Sequence, residues 1–249
     1  MRTILFYLVV MPYSYLCIAV CLLIGLLPYS RPILHWIDRR VWAPGWMRLS
    51  GVTVKVTGSV DALDPKQAYV VVANHQGHFD IPATKVALGE HTLLFVTKRS
   101  LLYVPLVGLY LWRAGYPLID RGSKTQSHQM LDRAAQQVRD GTTVLVFPEG
   151  TRTTSGEISA FKRGAFVLAI KAQRPIIPVT ITGSMAIMHR DSSKVRSGEI
   201  HVHIGDEIPT VGLQLEDRGA LSERVRQTLL AQYETQRTSQ DTQEATPSS

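Results

Sequence analysis

Residues 3–30 carry no charged side chain, and no other feature limits the fold of this chain as strongly. As a helix at ~1.5 Å per residue the stretch would reach about 42 Å, against ~30 Å for the hydrocarbon core of a bilayer. Such a segment is long enough to cross a membrane, with tilt or a kink at Pro12. A secretory signal peptide would have a shorter apolar core closed by a small-residue cleavage site, and no such site follows here. A retained anchor is therefore the expectation. The whole chain, at 45% hydrophobic and 19% charged, is apolar for a soluble protein and fits one sizeable α/β domain plus an anchor.

Residues 31–50 hold Trp36, Trp42 and Trp46 among Arg31, Arg39, Arg40 and Arg48, a mixture suited to a lipid headgroup interface. Ile33, Ile37 and Val41 recur at helical spacing. A helix lying on the membrane surface and an ordinary helix packed at the domain edge both fit that pattern. Cations after the apolar stretch outnumber the single Arg2 before it, which by the positive-inside rule puts the remainder on the cytoplasmic face, most simply of a bacterial inner membrane. The only cysteines, Cys17 and Cys21, lie in the apolar stretch and indicate neither a disulfide framework nor a zinc site. A net charge of +7 suits anionic partners: acidic lipid, a phosphorylated substrate, an acidic carrier protein or nucleic acid. Charge alone does not choose among them.

Beyond Gly51, short and nearly wholly apolar runs at 69–73, 93–96, 144–147 and 176–181 alternate with helical patterns. Such runs read as strands buried on both faces, hence a largely parallel mixed sheet flanked by helices. Residues 123–140 carry Met130, Leu131, Ala134, Ala135 and Val138 on one face and stop at Gly141, as a crossover helix would. A further strand is expected at 199–204, with His201 and His203 on one face, and a last helix around Leu221, Val225 and Leu229. Residues 237–249 have no large apolar side chain and read as a disordered tail. The expected divisions are 1–50 for the anchor and interfacial segment, 51–236 for the domain and 237–249 for the tail.

Four segments carry chemistry. Asn74-His75-Gln76-Gly77-His78-Phe79-Asp80 follows the first apolar run. A carboxylate five residues past a histidine at a strand end can orient the imidazole while its other nitrogen takes a proton. A metal site built on His75, His78 and Asp80 lacks a separate fourth ligand cluster. Phe147-Pro148-Glu149-Gly150-Thr151-Arg152 again closes a buried run, and its glycine turn, hydroxyl and guanidinium suit a phosphate. A plain turn with Glu149 and Arg152 paired is the other reading. Lys162 and Arg163 near a helix start offer a second place for an anion. Gly115-Tyr116-Pro117-Leu118-Ile119-Asp120-Arg121 ends in an acid and a base, and in 176–181 Pro178 should sit at a sheet edge or a bulge.

Taken in order, these segments resemble the four blocks of the 1-acylglycerol-3-phosphate acyltransferase family of glycerolipid acyltransferases: Asn-His-x4-Asp, Gly-x4-Asp-Arg, Phe-Pro-Glu-Gly-Thr-Arg and a Pro-Val strand. The likeness runs from about residue 50 to 210 and takes in His203-Ile204-Gly205-Asp206-Glu207-Ile208-Pro209. It implies the fold of that family, with His75 as general base, Asp80 as its partner, and Arg121, Glu149, Gly150, Thr151 and Arg152 holding the substrate phosphate. Lys162 matches a basic position after the third block. Gly77 stands where the first block often has Ser, and Leu118 where the second often has Phe.

The resemblance implies transfer of a fatty acyl group from acyl-CoA or acyl carrier protein to the sn-2 hydroxyl of 1-acylglycerol-3-phosphate, with no metal or organic cofactor and no nucleic-acid partner. No Gly-x-Ser-x-Gly elbow occurs, so direct transfer is simpler than a covalent acyl-enzyme. Two alternatives stand beside it: acylation of another lysolipid, such as a lyso-ornithine lipid, and a non-catalytic membrane protein that binds anionic lipid.

Overall fold

The structure, a computed structural model, describes residues 1–119 and 124–244. Its strands are β1 (Val52–Gly58), β2 (Val70–Ala73), β3 (Leu93–Phe95), β4 (Thr97–Lys98), β5 (Leu118–Ile119), β6 (Thr143–Val146), β7 (Ile176–Thr182) and β8 (Gly198–Ile204). Six of them form one sheet in the order β1-β8-β7-β2-β6-β3, and β4 pairs with β5 apart from it. Every neighbouring pair in the large sheet is parallel except β7 with β8. The expected mixed, largely parallel sheet is what forms.

Helices α1 (Arg2–Leu5), α2 (Met11–Ile24), α3 (Arg31–Ile37) and α4 (Ala43–Ser50) precede the sheet. Helices α5 (Asp80–Ala87), α6 (Val107–Ala114), α7 (Lys124–Arg139) and α8 (Gly164–Ala172) lie between strands, and α9 (Ser184–Ile187) and α10 (Arg218–Glu244) follow β7 and β8. The central strands β2 and β7 are buried at every position, which is why they lack the polar alternation of a one-sided sheet. Their alternate residues feed two cores. Val71, Ala73, Ile177, Val179 and Ile181 face a core completed by Met47, Phe79 and Ala83. Val70, Val72 and Ile176 face the other, built with Ala134 and Val138 of α7, Phe166 of α8 and Val225 and Leu229 of α10.

Pro178 sits inside the sheet, not at its edge. The pairs Val179 with Ile204 and Ile176 with Ile208 flank Ile177 and Pro178 on one strand and residues 205–207 on the other, so the second strand carries an extra residue. That is a bulge, the second of the two expected settings, and it spares the missing N–H a ladder partner.

A five-residue turn of π-helix at Phe6–Val10 joins α1 to α2 into one apolar rod, Arg2–Ile24. A similar turn at Asp38–Trp42 joins α3 to α4. The rod is not detached from the domain. Phe6 packs edge-on against Trp46 at 5.3 Å and reaches Phe79 at 5.9 Å, and Phe6 and Val10 belong to the same core as β2 and β7. Thr3 Oγ1 accepts the backbone N–H of Val195 at 3.0 Å. At the other end Arg113 of α6 donates to the carbonyls of Gly25 and Leu27 and to Ser30 Oγ. Behind the second helical rod, Lys85 of α5 is buried with Asp38 at 2.7 Å, and Tyr116 donates to the same carboxylate.

At the far end α10 continues to Glu244, into the stretch expected to be a disordered tail. The reason lies before that stretch: Gln232 and Gln236 accept from Thr180 and Thr182 of β7. They hold the helix against the sheet, and once nucleated it propagates through polar residues of adequate propensity.

Candidate active site

The carboxyl ends of β2, β3 and β6 open onto a cavity of about 770 Å³, the place where parallel α/β sheets gather their ligand-binding loops. The chain leaves β2 through Asn74, whose side-chain amide prolongs the sheet. Its Nδ2 donates to Ile181 O at 2.8 Å and its Oδ1 accepts Ile181 N–H at 2.7 Å. The next residue, His75, is thereby delivered at a fixed height on the cavity wall.

Asp80 is fully buried and begins α5, where the helix dipole favours a carboxylate. Its Oδ2 lies 2.7 Å from His75 Nδ1 and also accepts the backbone N–H groups of Gln76 at 2.7 Å and Gly77 at 2.9 Å. Its Oδ1 accepts from Ser184 Oγ, at the start of α9. With that many donors the carboxylate is fixed in orientation, and opposite this acceptor Nδ1 of His75 is the donor. Nε2 is then the nitrogen left for the cavity, which His75 lines. Gly77, where the family often has Ser, meets Ser184: a Cβ there would come within 2.9 Å of the Ser184 carbonyl oxygen.

The histidine is gripped from three further sides. Its ring stacks on Phe147 at 4.0 Å and 15°. Its carbonyl accepts from Thr153 N–H at 2.8 Å, and its own N–H donates to Glu149 Oε1 at 2.8 Å. The other Glu149 oxygen accepts from the backbone and hydroxyl of Ser159 at 3.1 and 2.9 Å. Glu149 was grouped by resemblance with the phosphate-holding residues; its carboxylate is instead turned into the protein, and a like-charged phosphate has no reason to approach it. Nor does it pair with Arg152, so the plain salt-bridged turn does not form. Burial pushes the Glu149 carboxyl up, opposed by the hydrogen bonds from His75 and Ser159.

Gly150, Thr151, Arg152 and Lys162 all line the cavity. Gly150 has φ 75°, and a Cβ would meet Lys162 Nζ at 2.9 Å, so glycine lets this turn bring the lysine in. Arg152 Nη1 is buried without a hydrogen-bond partner, a rare condition for a guanidinium nitrogen. Burial, and after it the neighbouring Arg190 guanidinium, lower its pKa, though an arginine stays charged at any physiological pH. Arg152, Arg190 and Lys162 put three cations on the wall of one open cavity, a site that an anion completes.

Of the second block, Asp120 and Arg121 lie outside the described residues. His78 is exposed and lines the cavity, and among the described residues no group of three or more His, Cys, Asp or Glu stands together as a metal site. Three contributors went unremarked in the sequence. Ser184 completes the hold on Asp80, Arg190 reaches Arg152 O at 2.7 Å through Nη1, and Lys98 lines the cavity. Only Lys98 has a visible cue, the Lys98-Arg99 pair that closes the apolar run 93–96 after Thr97.

A family model described as Acyltransferase matches residues 53–182. The 1-acyl-sn-glycerol-3-phosphate acyltransferase alpha of Homo sapiens is 36% identical over 186 residues, 74% of this chain and 65% of that one. A putative 1-acyl-sn-glycerol-3-phosphate acyltransferase of Caenorhabditis elegans is 33% identical over 190 residues, covering 76% and 67%. The matched region thus spans just under two thirds of the human relative's length. Among solved structures, the 1-acyl-sn-glycerophosphate (LPA) acyltransferase PlsC from Thermotoga maritima shares the fold, with a TM-score of 0.79, 24% identity and 95% of each chain covered.

Proposed function

The chain belongs to the acyltransferase family, and from that premise we propose that it acylates the sn-2 hydroxyl of 1-acylglycerol-3-phosphate, using acyl-CoA or acyl carrier protein, to give phosphatidic acid. One observation carries the reading. His75 of the dyad, whose Nδ1 lies 2.7 Å from Asp80, and the cations Arg152, Arg190 and Lys162 line one cavity, so a general base and an anion-seeking cluster address the same ligand.

His75 Nε2 takes the proton of the acceptor hydroxyl as its oxygen attacks the thioester carbonyl; the imidazolium that forms is stabilised by Asp80. As the tetrahedral intermediate collapses the carbon–sulfur bond breaks, and the imidazolium proton passes to the departing thiolate. Arg152, with Arg190, Lys162 and the Gly150 turn around it, holds the acceptor phosphate and so fixes the distance from phosphate to hydroxyl. The reaction as proposed calls on no metal or organic cofactor.

Acceptor and product are both lipids, which gives the apolar rod Arg2–Ile24 its purpose as a membrane anchor. Tied to the domain near Thr3 and again, just past its end, through Arg113, a rod of this kind meets a bilayer side-on along its exposed residues, among them Leu16, Val20 and Leu23. The cationic flank favours the cytoplasmic face of a bacterial inner membrane.

The test is a panel in which purified full-length protein receives labelled acyl-CoA or acyl carrier protein with 1-acylglycerol-3-phosphate or with lyso-ornithine lipid. Labelled phosphatidic acid that disappears with His75→Ala supports the proposal. Acylation of the ornithine lipid alone would transfer the reading to that acceptor.

A further inference from the structure

Helix α6 is apolar on its outward side as well as its inward one. Gly108, Tyr110, Leu111 and Ala114 are buried against Cys21, Leu34, Ile37 and Tyr116. The opposite side of a surface helix should be polar. Here it presents Leu106, Leu109 and Trp112, and the turn before it adds Leu101 and Tyr103, all exposed, Tyr103 to 81% and Trp112 to 64%. Monomeric soluble domains seldom keep such a contiguous apolar area open to water.

Two observations say what covers it. The face adjoins the N-terminal rod: α6 packs on α2, and Arg113, the residue after Trp112, bonds the Gly25 and Leu27 carbonyls of the turn that carries exposed Leu26 and Leu27. Exposed cations border it, with Lys98 at the end of β4, Arg99 on the turn before α6 and Arg31 at the start of α3, where Arg31 Nε bonds Arg113 O. An apolar centre with a cationic rim and an amphipathic aromatic is complementary to an anionic bilayer surface. Leu101 and Lys98 also line the active-site cavity, so the face runs to the mouth of the site.

We propose that the face formed by Leu101, Tyr103, Leu106, Leu109 and Trp112 is a second membrane-docking surface, which seats on anionic lipid beside the N-terminal rod and turns the mouth of the active-site cavity toward the bilayer. The proposal rests on the reading that the acceptor is drawn from a membrane. The acceptor's acyl chain then stays in lipid while its headgroup enters past Leu101 and Lys98 toward Arg152.

The experiment places an environment-sensitive fluorophore on full-length Leu109→Cys, and separately on Leu23→Cys in the rod and on Glu216→Cys beyond the opposite core; native Cys17 and Cys21 are buried. Each is mixed with phosphatidylcholine–phosphatidylglycerol vesicles, with and without nitroxide on the acyl chains. The Leu109 label should shift to the blue and be quenched like the Leu23 label, the Glu216 label neither. Quenching at Leu23 alone overturns the proposal and leaves the anchor standing; quenching at neither overturns both. A blue shift at Leu109 without nitroxide quenching, growing with protein concentration, would assign the face to a second copy of this chain. As a second arm, the Leu106→Ser/Leu109→Ser/Trp112→Ser variant should keep its turnover of a short-chain, water-soluble acceptor and lose at least ~10-fold in vesicle partitioning. Unchanged partitioning also overturns the proposal.

Discussion

Glu149 Oε1 accepts the backbone N–H of His75 at 2.8 Å, so the third sequence block fixes the histidine of the first from behind while Asp80 fixes it from the side. Glutamine at 149 would keep the shape but direct an NH2 group at one of the donors from His75 or Ser159. Displacement of a catalytic group by about 1 Å costs ~100-fold in rate. Glu149→Gln should accordingly lose ~10- to 100-fold in kcat with acceptor KM little changed. A raised KM at unchanged kcat would place Glu149 at the acceptor after all.

His75→Ala should lose at least ~100-fold in turnover, the scale of general-base catalysis, with an unchanged unfolding transition, because the ring is a stack partner of Phe147 and not part of either core. Asp80→Asn should be comparably impaired. It removes the anion facing the imidazolium and offers an amide where Gln76 N–H, Gly77 N–H and Ser184 Oγ all donate. Ser184→Ala deletes one of those donors and should lose ~10-fold, in line with ~1.5 to 3 kcal/mol for a hydrogen bond to a charge. Full activity in both Asp80→Asn and Ser184→Ala would reduce Asp80 to a structural residue.

Lys85 and Asp38 join the domain to the second N-terminal rod through a buried ion pair at 2.7 Å. Removing one partner leaves the other charged and unpaired in the interior, at a cost of about 3 to 5 kcal/mol. Lys85→Met should lower the denaturant midpoint markedly, and adding Asp38→Leu should restore much of it. If the double variant is no more stable than the single one, the pair is not what couples these elements.

What could be read from sequence was local. The burial of β2 and β7 showed as unbroken apolar runs, and the dyad as a five-residue spacing on a single turn. The grip of Glu149 on His75 spans 74 positions and has no local signature, and the Glu149 side chain reads equally well facing a ligand or the interior. Arg190 comes to Arg152 only because the turn after β7 folds back over the third block. That the N-terminal rod packs on the domain has no cue in the sequence for a simpler reason: Phe6 satisfies the same hydrophobic demand against Trp46 and Phe79 as against lipid, so an uncharged stretch reads alike in both settings. The end of α10 was misjudged because Gln232 and Gln236 dock by hydrogen bonds to Thr180 and Thr182, which leave no apolar periodicity.

The orphaned Nη1 of Arg152 leads to the sharpest test of substrate. Phosphate rewards the planar fork of arginine over the point charge of lysine, so Arg152→Lys should be partly tolerated and Arg152→Ala poorly. With 1-acylglycerol-3-phosphate, Arg152→Ala should lose ~1.5 to 3 kcal/mol of acceptor binding, about 10- to 150-fold in kcat/KM. An acceptor of the same chain length lacking the phosphate should be used equally by variant and wild type. Arg190→Ala should follow the same split with a smaller loss, since Arg190 shares the anion and also braces the Arg152 carbonyl. The difference between acceptors isolates the phosphate from any disturbance of the fold, because a misplaced His75 would slow both reactions alike. Equal losses on both acceptors would assign Arg152 to the fold or to the acyl donor, and would move the weight to an acceptor without a phosphate, such as a lyso-ornithine lipid.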